Sequence, residues 1–211
     1  MDLEALYERL YRRFGPQDWW PAESEFEVIV GAVLTQNTNW NNVEKAVEAL
    51  KENGLMDPEK IVDTDEDELK EMIRCTGFYN QKCRRVKRVS RRILEEGGTR
   101  RYLRQDDLRN ALLDIKGIGP ETADSIVLYA AERPVFVVDA YTKRILKRVF
   151  GFQGTYGEVQ ELFHSEIDDG EERVKIFQEY HALLVELAKN YCKTRPECGG
   201  CVLKEMCLRV T

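Results

Sequence analysis

The sequence predicts an all-α protein, and three observations carry that prediction. Apolar residues recur at i, i+3, i+4 and i+7 through nearly every segment of the 211-residue chain, the stripe of a helix with one buried face. Glycine, proline and asparagine stand where these stripes stop. Only "PVFVV", Pro134 to Val138, reads as a strand, and one short strand has no partner with which to build a sheet.

Leu3, Leu6, Leu10 and Phe14 stripe the first helix, which Gly15-Pro16 ends. A Pro-bounded loop, "QDWWPAES", then carries Trp19 and Trp20 side by side. Phe26, Ile29, Val30, Val33 and Leu34 stripe a second helix that runs into "TQNTNW". Val43, Ala46, Val47 and Leu50 mark a third, stopped by Asn53-Gly54, and Leu69, Met72 and Ile73 mark another before the polar, aromatic break "GFYNQK". Val86, Val89, Ile93 and Leu94 line a long basic helix closed by Gly97-Gly98. Leu108, Ala111, Leu112 and Ile115 precede a Gly-Ile-Gly turn; Ala123, Ile126, Val127 and Ala130 follow it. Asp139 opens "AYTKRILKRVF", and "YGEVQELFHSEI" and "RVKIFQEYHALLVELAKNYC" complete the series as amphipathic helices.

Hydrophobic residues make up 43% of the chain, enough for a core in one domain or two. No apolar run approaches the ~20 residues of a membrane span. The opening "MDLEALYERLYRRFG" is an amphipathic helix of mixed charge and not a signal peptide, so cytoplasmic residence is expected. A net charge of −6 argues against indiscriminate nucleic-acid binding over the whole surface. The cations are unevenly placed, however. Lys82, Arg84, Arg85, Lys87, Arg88, Arg91 and Arg92 crowd one segment, and Lys143, Arg144, Lys147 and Arg148 another. Such runs are either solvated helix faces or binding surfaces.

Gly117 and Gly119 leave the turn between the two striped segments free of side chains, and Pro120 suits the first position of the helix that follows. A bare turn at a helix N-terminus offers backbone N–H groups to an anion such as phosphate. The segment is therefore a helix-hairpin-helix candidate for gripping a DNA backbone, with a plain helical hairpin as the alternative.

Four of the six cysteines fall near the end of the chain, as Cys192, Cys198, Cys201 and Cys207. Clustering of this kind in a cytosolic protein points to metal ligation and not to disulfides. Only the central pair has Cys-x-x-Cys spacing, whereas zinc ribbons pair two such knuckles from separate hairpins. A 4Fe–4S cluster is the better fit, with zinc as the alternative. Lys193, Arg195 and Lys204 interleave with these ligands and could face phosphates. Cys75 and Cys83 read as ordinary thiols, and His164 and His181 as structural residues on amphipathic helices.

The hairpin, an aspartate twenty residues beyond Gly119 and the four-cysteine loop together resemble the endonuclease III-like superfamily of helix-hairpin-helix DNA glycosylases. The resemblance covers nearly the whole chain, although the first cysteine gap is five residues here and usually six in endonuclease III. It implies a six-helix domain over residues 23–132. A second helical domain, residues 1–22 plus 133–211, would carry Asp139 and the cluster loop. Damaged double-stranded DNA would lie along the cleft between the domains, bound by a monomer.

By this resemblance Asp139 is the catalytic carboxylate. An aspartate ahead of a helix is also a good N-cap, and the two readings are compatible, since N–H bonds and the helix dipole favour the charged form. Bifunctional endonuclease III has a lysine two residues past its Gly-x-Gly, and that lysine forms a Schiff base. Here the position is Glu121, and a carboxylate cannot form an imine, so lyase chemistry is expected to be absent. Lys116, before the turn, is the nearest substitute amine.

"WWP", "GAVLTQNT" and "GFYNQK" resemble the 3-methyladenine DNA glycosylase branch, which also has glutamate at the Glu121 position but can lack the cysteine loop. That likeness implies a base pocket of Trp20 and Trp40 with Trp19 and Glu121. For Trp19 the alternative is a staple holding the N-terminal segment to the core. Gln36 would fill the gap left by a flipped base and Phe78 would wedge the duplex. Asn80, Lys82 and Arg85 would meet the DNA nearby, and Gly117, Ile118 and Gly119 would grip phosphates, or a monovalent cation held by the hairpin carbonyls. Two other functions stay open: a glycosylase for uracil, mismatched or oxidised bases, and a non-catalytic iron–sulfur DNA-binding module.

Overall fold

The computed structural model describes residues 1–167 and 170–208, and every regular element among them is helical. The chain divides into two compact units, Ala22–Glu132 and Met1–Pro21 with the chain from Arg133 onward. No helix among the described residues is long and apolar enough to cross a membrane.

The Ala22–Glu132 unit holds α2 (Glu25–Leu34), α3 (Trp40–Glu52), α4 (Pro58–Asp63), α5 (Glu66–Met72), α6 (Tyr79–Glu95), α7 (Thr99–Arg104), α8 (Leu108–Leu113) and α9 (Pro120–Tyr129). The resemblance implied six helices; eight stand here, three of them (α4, α7 and α8) only six residues long. Side chains satisfy the exposed N–H groups at several starts: Ser24 caps α2, Asn39 caps α3, Asp57 caps α4 and Asp65 caps α5. From Phe26 to Leu34 every residue of α2 is buried, as befits a helix that is apolar on nearly all sides. It packs on α3, α6 and α9.

The other unit begins with α1 (Leu3–Phe14) and resumes after Arg133 with α10 (Ala140–Phe150), α11 (Tyr156–Glu166) and α12 (Arg173–Asn190). α12 packs on both α1 and α10. The strand-like "PVFVV" forms no strand. Side chains of α11 meet its backbone instead: the Phe136 N–H donates to His164 Nε2 (3.1 Å), Gln160 Nε2 donates to the Phe136 carbonyl (2.8 Å), and the Val138 N–H donates to the Tyr156 hydroxyl (3.4 Å). The Phe136 ring lies parallel to Phe163 with centroids 3.6 Å apart, and Phe177 and Tyr180 meet it edge-on at 5.3 and 6.1 Å. All four rings are fully buried. This aromatic core fixes the extended segment that delivers Asp139.

Candidate active site

Asp139 sits at the head of α10 in extended conformation. Its Oδ1 accepts twice from Thr142, from the backbone N–H at 2.7 Å and from the hydroxyl at 2.8 Å. Two bonds to one oxygen leave Oδ2 for other work. That second oxygen faces His181 Nε2 of α12 at 3.8 Å, and the Asp139 side chain is 13% exposed. His181, read from the sequence as a structural residue, is buried beside this carboxylate. One signal was present, a histidine in the buried register of α12 four residues after Phe177 and three before Leu184.

The hairpin gathers several expected residues within the other unit. Gly117 has φ +102°, and a Cβ there would lie 2.5 Å from Arg85 Nε, so only glycine lets the guanidinium lie over the turn. Gln36 donates to the Gly117 carbonyl (3.2 Å) and to the Thr122 hydroxyl (2.8 Å), and it accepts from Arg85 Nη1. Arg88 donates to the Lys116 carbonyl at 3.0 Å. Ile118 turns its side chain inward and gives its N–H to the Ile115 carbonyl. Its N–H therefore closes the turn from within the protein and is not open to a phosphate. The N–H groups of Gly117 and Gly119 meet no protein acceptor among the described residues. Beneath the turn, Arg109 of α8 grips the fully buried Asp124 of α9 in a bidentate pair at 2.6 and 3.1 Å.

Phe78 caps α6 in the left-handed region, φ +47°, and is 61% exposed. A bulky apolar side chain presented this way at a polar turn is strained and solvated at once. Asn80 lies exposed in the next turn. Lys82, expected at a phosphate, is instead fully buried and donates to the Thr76 carbonyl at 2.7 Å. Burial, with the neighbouring Arg85 charge, pushes its amine down to about 8. It fastens the turn that presents Phe78. Lys87 is buried likewise, donating to the carbonyls of Val62 (3.0 Å) and Thr64.

Trp19 and Trp20 are partly exposed, with ring centroids 6.0 Å apart. The Lys189 ammonium lies 5.2 Å from the Trp19 centroid, a cation–π contact that ties this loop to α12. Trp40 opens α3 and donates to Glu44 at 2.8 Å. Glu121 is exposed in the first turn of α9.

Two arginines of α10 hold the cysteine loop. Arg144 Nε donates to the Cys192 carbonyl (2.8 Å). Arg148 reaches the carbonyls of Cys192, Lys193 and Thr194, and lies 3.3 Å from Cys192 Sγ. Cys207 Sγ in turn donates to the Arg148 carbonyl at 3.3 Å. Burial pushes the Cys201 thiol up, a backbone N–H from Leu203 pulls it back, and the charges of Cys192, Cys198 and Cys207 add to the rise. Among the described residues, however, no three His, Cys, Asp or Glu side chains close up around one metal ion.

Residues 30–168 match the HhH-GPD superfamily base excision DNA repair protein model. The chain belongs to this superfamily. It is 46% identical to a candidate DNA repair glycosylase of Methanocaldococcus jannaschii over 98% of this chain and 96% of that protein. Its fold is similar to the H. pylori 3-methyladenine DNA glycosylase in a crystal structure bound to 1,N6-ethenoadenine, with TM-score 0.81, 32% identity, and 90% of this chain and 98% of that one covered. A non-covalent endonuclease III–DNA complex aligns with TM-score 0.84 at 21% identity over 98% of this chain and 94% of that one. The protein therefore has the HhH-GPD fold, like endonuclease III.

Proposed function

We propose that this HhH-GPD protein is a monofunctional DNA glycosylase that hydrolyses the N-glycosidic bond of alkylated purines, 3-methyladenine among them. The observation that carries the proposal is a pairing of residues: a carboxylate with one oxygen tied to Thr142, and Glu121 at the slot of the lyase lysine. The likeness to the H. pylori enzyme, at 32% identity, supports the substrate class.

An alkylated purine carries positive charge and a weakened glycosidic bond, so it departs with little acid catalysis. Asp139 then needs only to stabilise the cation developing on the sugar and orient the attacking water. The rings of Trp20 and Trp40 are the surfaces assigned to the cationic base, a contact worth about 2 kcal/mol once desolvated. Phe78 wedges the stack and Gln36 takes the vacated space, against a flipping cost of a few kcal/mol. Arg85 and the N–H groups of Gly117 and Gly119 position phosphates, and a monovalent cation at the hairpin carbonyls would add to that grip. The test is a panel of duplexes with single lesions, each treated with alkali after incubation. Alkylated purines are released first; excision confined to uracil or oxidised bases contradicts the assignment.

The cysteine loop fits a 4Fe–4S cluster, held by Cys192, Cys198, Cys201 and Cys207. The spacing supports this reading, since only the central pair is Cys-x-x-Cys where zinc ribbons pair two such knuckles, and Arg148 places a cation beside Cys192. When bound, the cluster would supply structural cross-linking of the loop. Protein purified without oxidation is expected to be brown with broad visible absorption; a colourless sample with stoichiometric zinc contradicts this.

A further inference from the structure

We propose that His181 is a positioning residue for Asp139, fixing the orientation of the Oδ2 oxygen that Thr142 leaves unengaged. The inference rests on Asp139 being the catalytic carboxylate. Thr142 makes both of its bonds to Oδ1, so by itself it would let the carboxylate swing about that oxygen. His181 limits the swing. It lies in the middle of α12, which packs on α10, and its ring is buried with Nε2 3.8 Å from Oδ2. That distance is too long for a direct hydrogen bond, but catalytic bonds often tighten only once substrate is bound.

The choice of histidine is informative. Burial pushes the imidazole below its ordinary value, against the pull of Asp139, which favours the neutral ring. A lysine or arginine at this place would hold the carboxylate in an ion pair and spend its charge. A neutral imidazole orients the oxygen and leaves the charge available to the sugar. For this it must turn an N–H toward Asp139, which specifies the Nε2–H tautomer. The other histidine provides an internal contrast, since His164 Nε2 accepts from the Phe136 N–H and so must carry its proton on Nδ1.

The tautomers are read in the native protein by 15N NMR of its two histidines. One neutral Nε2–H ring and one neutral Nδ1–H ring are expected; two Nδ1–H rings, or a doubly protonated His181 at pH 7, overturn the proposal. Variants give the functional reading. His181→Leu is expected to slow single-turnover excision by roughly tenfold to hundredfold with lesion-DNA affinity unchanged, and His181→Gln, which keeps an N–H donor, to recover most of the rate. Native-rate excision by His181→Leu, or equal losses in both variants, overturns it. Full activity in Asp139→Asn would instead refute the carboxylate assignment itself, whereas an inactive Asp139→Asn beside a native-rate His181→Leu refutes only the part given to His181.

Discussion

Asp139→Asn is expected to lower the rate of base excision by about a thousandfold or more, with lesion-containing DNA still bound. Asparagine caps a helix as well as aspartate does, and its side-chain oxygen can accept the two Thr142 bonds that Oδ1 accepts now. The substitution therefore removes charge and leaves geometry. A positive sugar facing a neutral amide loses most of the electrostatic stabilisation a carboxylate offers in a site shielded from water. Single-turnover excision, equilibrium DNA binding and thermal melting measured on one preparation separate the effects. A slow variant that melts like the native protein places the loss in chemistry; native-rate excision by the variant would contradict a catalytic role for the Asp139 charge.

Phe136→Ala is expected to destabilise the unit that carries Asp139 by about 3–5 kcal/mol, the range for removing a buried aromatic side chain. Phe136 meets Phe163, Phe177 and Tyr180 at once and is fully buried, so its loss leaves a cavity whose aromatic walls cannot collapse without shifting α11 and α12. The segment it anchors has no β-partner. Its N–H and C=O groups depend on the side chains of Tyr156, Gln160 and His164, which stay aligned only while the ring holds the backbone in place. Denaturant unfolding checks the figure; a cost below about 1 kcal/mol would show that the site relaxes around the gap.

The helices were readable because a one-sided apolar stripe is a direct consequence of burying one face. Gly117 and the Asp139 cap were readable for a similar reason, since local backbone chemistry admits few residue types there. Lys82 was not. A lysine in a run of cations reads as exposed, and only the Thr76 carbonyl turned inward makes its burial intelligible. "PVFVV" looked like a strand because β-branched and aromatic residues mark extended backbone; that its partners would be side chains of α11 is tertiary information with no local trace. That His181 lies beside Asp139 has no local trace, because the two are 42 residues apart in the chain.

Hydrolysis without strand cleavage is tested most directly by borohydride treatment of the protein reacting with 3-methyladenine-containing duplex. With Glu121 at the lyase position, free base is released, the backbone stays intact until alkali is added, and no covalent protein–DNA adduct is trapped. A trapped adduct, or strand cleavage without alkali, would show that an amine of this chain attacks the sugar and would contradict the monofunctional mechanism.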